Sequence, residues 1–299
     1  MDTIKEMLSL SLILASFRFA TPLILAALGG IFSERSGVIN IALEGMMLFG
    51  AFAAAYGSSI NGNPWTGVLF AIIAGLMFGA IHALVCVVFK ADQIVVGTGI
   101  NIFATGLTIF LLQVLFNVKG TSPMVARLPF MRIFDVRFSV LTYVALILVP
   151  IVWYFFFKTS WGLRIRSIGE HPAAADTLGV KVNRWRFISV LMSGVLAGLA
   201  GAHLSIGDGS AFVREMSAGR GFIALAAMIF GKWHPVGAFG AAMLFGYAEA
   251  VAVRVDFPFI PSELISAIPY ILTIVILAGF FGKSTPPAAD GEPYTKGEN

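Results

Sequence analysis

Apolar positions gather in long runs at roughly 8–31, 38–57, 66–89, 93–117, 139–157, 187–206, 219–231, 236–253 and 264–281, parted by short polar breaks. Several runs approach twenty residues with almost no charge, enough at about 1.5 Å per residue to cross a hydrocarbon core of about 30 Å. The run at 219–231 is too short for a simple span and predicts a broken or re-entrant segment, tolerable only where it is buried in protein or lines a cavity. The pattern therefore predicts an all-α integral membrane protein, a polytopic bundle of about 8–10 segments, some broken or re-entrant. Residues 1–283 read as one transmembrane domain, because no polar stretch within them is long enough to fold alone. Arg18 interrupts the first run, so it reads as a retained segment and not as a cleavable leader. The polar, Pro- and Gly-rich residues 284–299 predict a disordered tail.

Composition agrees: 58% of residues are hydrophobic, 12% are charged and mean hydropathy is +0.89, which excludes a large soluble core. Gly75-x-x-x-Gly79 and Gly194-x-x-x-Gly198, with Gly201 beyond, set small residues on one helix face for close packing. The spacing leaves open whether the contact lies within the chain or with another subunit. The net charge of +4 is informative through its position. Residues 158–186 hold Lys158, Arg164, Arg166, Lys181, Arg184 and Arg186 against Glu170 and Asp176, which accounts for the whole excess. A basic loop between apolar runs is the positive-inside signature, not a nucleic-acid face, so 158–186 is placed in the cytoplasm. Alternation then puts the Lys90-Ala91-Asp92 turn and the tail with Lys283 on the same side. Loops 58–65, 118–138 and 254–263 fall opposite, although Lys119, Arg127, Arg132 and Arg137 make 118–138 basic as well.

Candidate chemistry is sparse. Cys86 is alone, and four scattered histidines give no metal-ligand spacing. No Ser-His-Asp arrangement can be argued. Gly282-Lys283-Ser284 mimics the end of a phosphate loop, but Leu277 stands where the first glycine is required. Within the runs, Glu44 is the most costly group, since a carboxylate at the centre of a membrane helix costs about 2.5–3.5 kcal/mol. With Asn40 and Asn101 it could line a translocation path and offer acceptors and amides to a polar solute. The alternative is structural: Glu44 is protonated, or it bonds to the backbone of a broken helix beside Gly45. His82, His203, Gln113 and Glu249 suit packing contacts between helices. Trp153, Trp161, Trp185 and Trp233 suit membrane interfaces.

The loop itself reads WGLRIRSIGEHPAAADTLGVKVNRWR. Pro172 fits the first turn of a short helix, the alanines that follow favour it, and Gly179 suits a left-handed position after its end. A short helix with a small face can dock in a groove of a partner; a plain basic connector is the other reading. The run GLRIRSIGEHPAAADTLGV resembles the coupling loop of ABC importer permeases of the branched-chain amino acid and simple sugar group. The segments TPLILAALGGIFSERSGVINIALEGMMLFGAF and MSAGRGFIALAAMIFGKWHPVGAFGAAMLFG resemble its nucleoside-type branch.

The resemblance implies a permease subunit in the plasma (inner) membrane of a prokaryote, forming the path for nucleosides or simple sugars. It implies a cytoplasmic ABC ATPase, a second related permease and an extracytoplasmic substrate-binding protein as partners. No cofactor is expected on this chain, with ATP held by the partner subunit. Arg164, Arg166, Gly169, Glu170, Pro172, Ala174, Ala175 and Gly179 are then the expected coupling residues. The rival reading is an ion-coupled secondary transporter with Glu44 as its proton or Na⁺ site.

Overall fold

The structure, a computed structural model, describes residues 10–133, 136–254, 271 and 284–297. Its helices are α1 (Leu10–Glu34), α2 (Leu43–Asn61), α3 (Pro64–Ala83), α4 (Gln93–Phe116), α5 (Val140–Lys158), α6 (Ser160–Glu170), α7 (Pro172–Thr177), α8 (Val182–Ala202), α9 (Arg220–Phe230) and α10 (Pro235–Arg254). Single π turns, Leu84–Val88 and His203–Asp208, extend α3 and α8. Among the described residues, α1, α3, α4, α5, α8 and α10 are long and apolar enough to cross a membrane.

Local chemistry sets where the helices begin. The Asn63 side chain accepts the Trp65 amide at 3.0 Å, and Pro64 occupies the first turn of α3. Asp92 Oδ1 accepts the Ile94 and Val95 amides, both at 2.9 Å, to start α4. Helix α2 begins at Leu43, five residues after the start of its apolar run. Residues 35–42 are held in a turn instead, with Gly37 at φ +85° and the Val38 carbonyl bound by Ser33 Oγ at 2.6 Å.

Helix α1 is central, with 72% of its apolar window buried, whereas α4 has only 22% buried and lies outermost. Helix α2 packs against α3, α4 and α8. The glycine faces belong to contacts within the chain. A Cβ on Gly75 would meet the Gly194 carbonyl, one on Gly194 would meet that of Gly75, and one on Gly201 would meet Met47. Any side chain there forces α3, α8 and α2 apart.

Two ends of the bundle are distinguishable. At one, Ser58 Oγ donates to the Ala126 carbonyl at 2.9 Å and Thr121 pairs with Val213. A two-stranded antiparallel hairpin, β1 (Phe130–Ile133) and β2 (Val136–Ser139), pairs Phe130 with Ser139 and adds a strand element that the all-helical reading did not contain. At the other end lie α6, α7 and the Lys90 turn. The grouping of the Lys90 turn with the basic loop matches the parity expected from charge. The expected run at 264–281 falls outside the described residues except for position 271, and Lys283 and loop 255–263 fall outside them altogether.

The tail differs from expectation. Residues 284–297 are not a free chain but lie against the loop end of the bundle. The Ala289 amide donates to the Gly169 carbonyl at 2.8 Å, and Arg186 Nη1 donates to the Glu292 carbonyl at 2.6 Å. Lys90 Nζ donates to Thr295 Oγ1 at 2.6 Å, tying the tail to the α3–α4 turn.

Candidate coupling surface and polar sites in the membrane

The basic loop folds into two consecutive helices where one was expected. Thr159 caps α6 by accepting the Gly162 amide at 3.1 Å. Pro172 sits in the first turn of α7, as its missing N–H allows, and Gly179 adopts φ +83° just beyond. Three side chains hold α7 down: Ala175 is 4% exposed and clusters with Ile168 and Val182, with Tyr294 of the tail packed alongside. Ala174, Thr177, Leu178 and Gly179 are exposed, Leu178 at 84%. The small face expected to meet a partner is therefore split: Ala174 points outward, whereas Ala175 packs inward against the chain itself.

The charged and glycine positions divide similarly. Glu170 is one of the expected coupling residues. Its Oε1 lies 3.9 Å from Arg35 Nη1, and its Oε2 accepts the Ala288 amide at 3.3 Å. Gly169 lets α6 approach the Arg35 carbonyl so closely that a Cβ would collide with it. Arg35 also donates to the Trp233 carbonyl at 3.0 Å, and burial lowers its pKa from the ordinary value. Trp233, expected at an interface, is 5% exposed and donates Nε1–H to Glu34 at 2.6 Å. Arg166 lies over the Phe157 ring at 4.9 Å, and Arg164 over the Trp185 ring at 5.9 Å. Arg186 is 2% exposed, a cation absorbed by the tail carbonyls and not by solvent.

In the membrane, Asn40, Glu44 and Asn101 meet around the start of α2. Asn101 Oδ1 accepts the Gly45 amide at 2.8 Å, and its Nδ2 donates to the Ile41 carbonyl at 3.0 Å. Asn40 is fully buried and donates to Ser193 Oγ at 2.8 Å. Glu44 accepts the Gly219 amide at 2.9 Å and the Gly221 amide at 2.6 Å, capping the N-terminus of α9. The structural role weighed for Glu44 is thus the one its geometry displays. Helix α9, at 11 residues, is about 16 Å long and cannot cross alone. Two further ion pairs hold this layer: Arg220 with Glu249, and Arg18 with Asp208. Glu249 was visible as a polar group in an apolar run. Its partner Arg220 lay at a run's edge, where sequence shows no pairing.

The family described as the branched-chain amino acid transport system permease component matches residues 12–277. The chain belongs to this family. It is 42% identical to the guanosine ABC transporter permease protein NupQ of Bacillus subtilis, over 95% of this chain and 96% of that protein. It is 40% identical to the nucleoside ABC transporter permease protein NupC of Lactococcus lactis, over 93% and 94% of the two chains. An inward-facing metal-chelate type ABC transporter superposes with a TM-score of 0.50 at 19% identity, covering 89% of this chain and 84% of that one. That likeness concerns the fold alone. Length, apolarity and family membership together make this permease a multi-pass membrane protein.

Proposed function

We propose that the permease forms the translocation path of an ATP-driven importer of nucleosides in a prokaryotic plasma (inner) membrane. The observation that carries this reading is similarity to nucleoside permeases over almost the whole chain. ATP is hydrolysed on a separate cytoplasmic ABC subunit, which docks on the exposed side of α6 and α7. Ala174 and Leu178 stand at the contact, and Arg164, Arg166, Gly169, Glu170, Pro172, Ala175 and Gly179 shape it. A second, related permease completes the path, and an extracytoplasmic binding protein delivers the solute. The described part of the path runs past Glu44, where α2 meets α9, and Asn101, where α4 meets the start of α2, both partly exposed.

An ion-coupled mechanism fits less well, because both Glu44 oxygens are engaged by backbone amides. Uptake of labelled guanosine by inside-out and right-side-out vesicles carrying the whole transporter separates the two. Uptake that needs ATP on the cytoplasmic face and survives a protonophore supports the proposal. Uptake that collapses with the ion gradient and ignores ATP overturns it.

A further inference from the structure

A groove of about 790 Å³ opens between α5 and α8 at the basic-loop end of the bundle. Its two parts differ in chemistry. Along the spans it is walled by Leu148, Ile151, Ile188 and Met192, with Ile151 53% and Met192 39% exposed. At its mouth stand Arg164, Lys181 and Arg184, with Trp161 and Trp185 in an edge contact at 5.9 Å between them. Among the described residues none of these three cations has a carboxylate partner. Arg164 lies over the Trp185 ring of the same mouth, whereas Arg166 turns onto Phe157 and Arg186 into the tail.

We propose that this groove is a binding site for an anionic glycerophospholipid of the cytoplasmic leaflet. The phosphate and anionic headgroup lie among Arg164, Lys181 and Arg184. The indoles sit at the level of the glycerol ester region, where amphipathic rings are favoured. The acyl chains follow the apolar wall between α5 and α8. Charge selects this occupant. A second membrane subunit seated here would bury three cations that have no carboxylate partner among the described residues, which is costly. A soluble protein would have to cover the apolar wall of two membrane-spanning helices. A free phosphate would leave that wall without a partner. The site does not depend on which solute the permease carries, and it borders α6, so lipid occupancy would brace the coupling end.

The test is native mass spectrometry of the detergent-purified transporter, with its ATPase. Phosphatidylglycerol and phosphatidylethanolamine of identical acyl chains are added in equal amounts. A cation at an anionic lipid surface contributes about fivefold in affinity. The wild type should therefore retain phosphatidylglycerol preferentially, and R164Q/K181Q/R184Q should lower that retention at least tenfold while leaving phosphatidylethanolamine unchanged. R164K/K181R/R184K should keep the preference, and M192W, which fills the wall, should lower retention of both lipids. No headgroup preference in the wild type, or an equal preference in the triple glutamine variant, overturns the proposal. So does displacement of the lipid by millimolar inorganic phosphate, which would identify a small-anion site. Loss of the ATPase with phosphatidylglycerol still bound would assign the cations to protein docking and overturn it too.

Discussion

The carboxylate of Glu44 accepts the backbone amide of Gly221 at 2.6 Å, joining the first turn of α2 to the first turn of α9 across the bundle. Its other oxygen holds Gly219 at 2.9 Å, so one side chain satisfies two amides that an 11-residue helix would otherwise leave bare.

Glu44→Gln should keep one acceptor and lose the other with its charge. A hydrogen bond to a charged group contributes about 1.5–3 kcal/mol, and the apparent melting temperature of the solubilised permease should fall accordingly. Uptake should fall in step with stability, with KM unchanged. A raised KM at native stability would show instead that Glu44 touches the solute.

Ala174 and Ala175 make a paired test of the coupling surface. Ala174→Glu, at an exposed position, should leave the purified permease as stable as the wild type and reduce ATPase co-purification at least tenfold. Ala175→Glu should act differently, forcing a carboxylate between Ile168, Val182 and Tyr294 and unseating α7 at a cost of about 1–3 kcal/mol. Faster proteolysis of the 158–186 loop in the second variant but not the first is the expected readout. Full ATPase retention by Ala174→Glu would remove α7 from the interface.

Arg186 should control whether the tail stays docked. Replacing it with Met keeps much of the bulk and removes the donors to the Glu292 and Ala289 carbonyls. Amide hydrogen exchange across 288–294 should then accelerate by at least tenfold, with the α1–α2 region unchanged. Exchange equal to the wild type would mean that Tyr294 and Lys90 suffice to hold the segment.

Docking of the tail should also depend on pH. Burial pushes the Asp290 carboxyl up from 3.8 to about 7, although the Arg186 guanidinium draws it down. Its Oδ1 has no hydrogen-bond partner among the described residues, and a backbone hydrogen bond from Gly291 also draws the carboxyl down. A pKa raised in the docked state means that docking favours the protonated acid. That contribution is complete below about pH 4 and is lost as pH rises through about 7. Tail protection against exchange, corrected for intrinsic rates, should be greater at pH 6 than at pH 8. Asp290→Asn should flatten the dependence; an unaltered slope in that variant would assign the titration to another group.

The long spans were legible because their signal is local. The runs at 66–89, 93–117 and 139–157 became α3 with its π turn, α4 and α5 with shifts of a few residues. Pro172 and Gly179 were legible for the same reason, since a missing N–H and a positive φ are properties of single residues. Three things were not. Residues 38–42 belong to an apolar run yet lie in a turn set by Ser33 and Gly37. The inward face of Ala175 comes from packing on Ile168 and Val182, with Tyr294 added from more than a hundred positions away. The tail has the composition of a disordered segment, yet its order comes from a distant arginine that binds backbone carbonyls. Composition cannot report an acceptor that every residue carries.

That arginine also imposes a schedule on synthesis. Arg186 and the carbonyl it grips at Glu292 are 106 residues apart in sequence. Chains are made from the amino end at about 5–20 residues per second, so α6, α7 and the start of α8 emerge several seconds before the tail segment that backs them exists. During that interval Arg186 lacks its acceptors, and Gly169 and Glu170 lack the amides of Ala289 and Ala288. The surface proposed to dock the ATPase is thus finished only after the intervening membrane segments have been translated, and a half-made permease would present that surface without its backing.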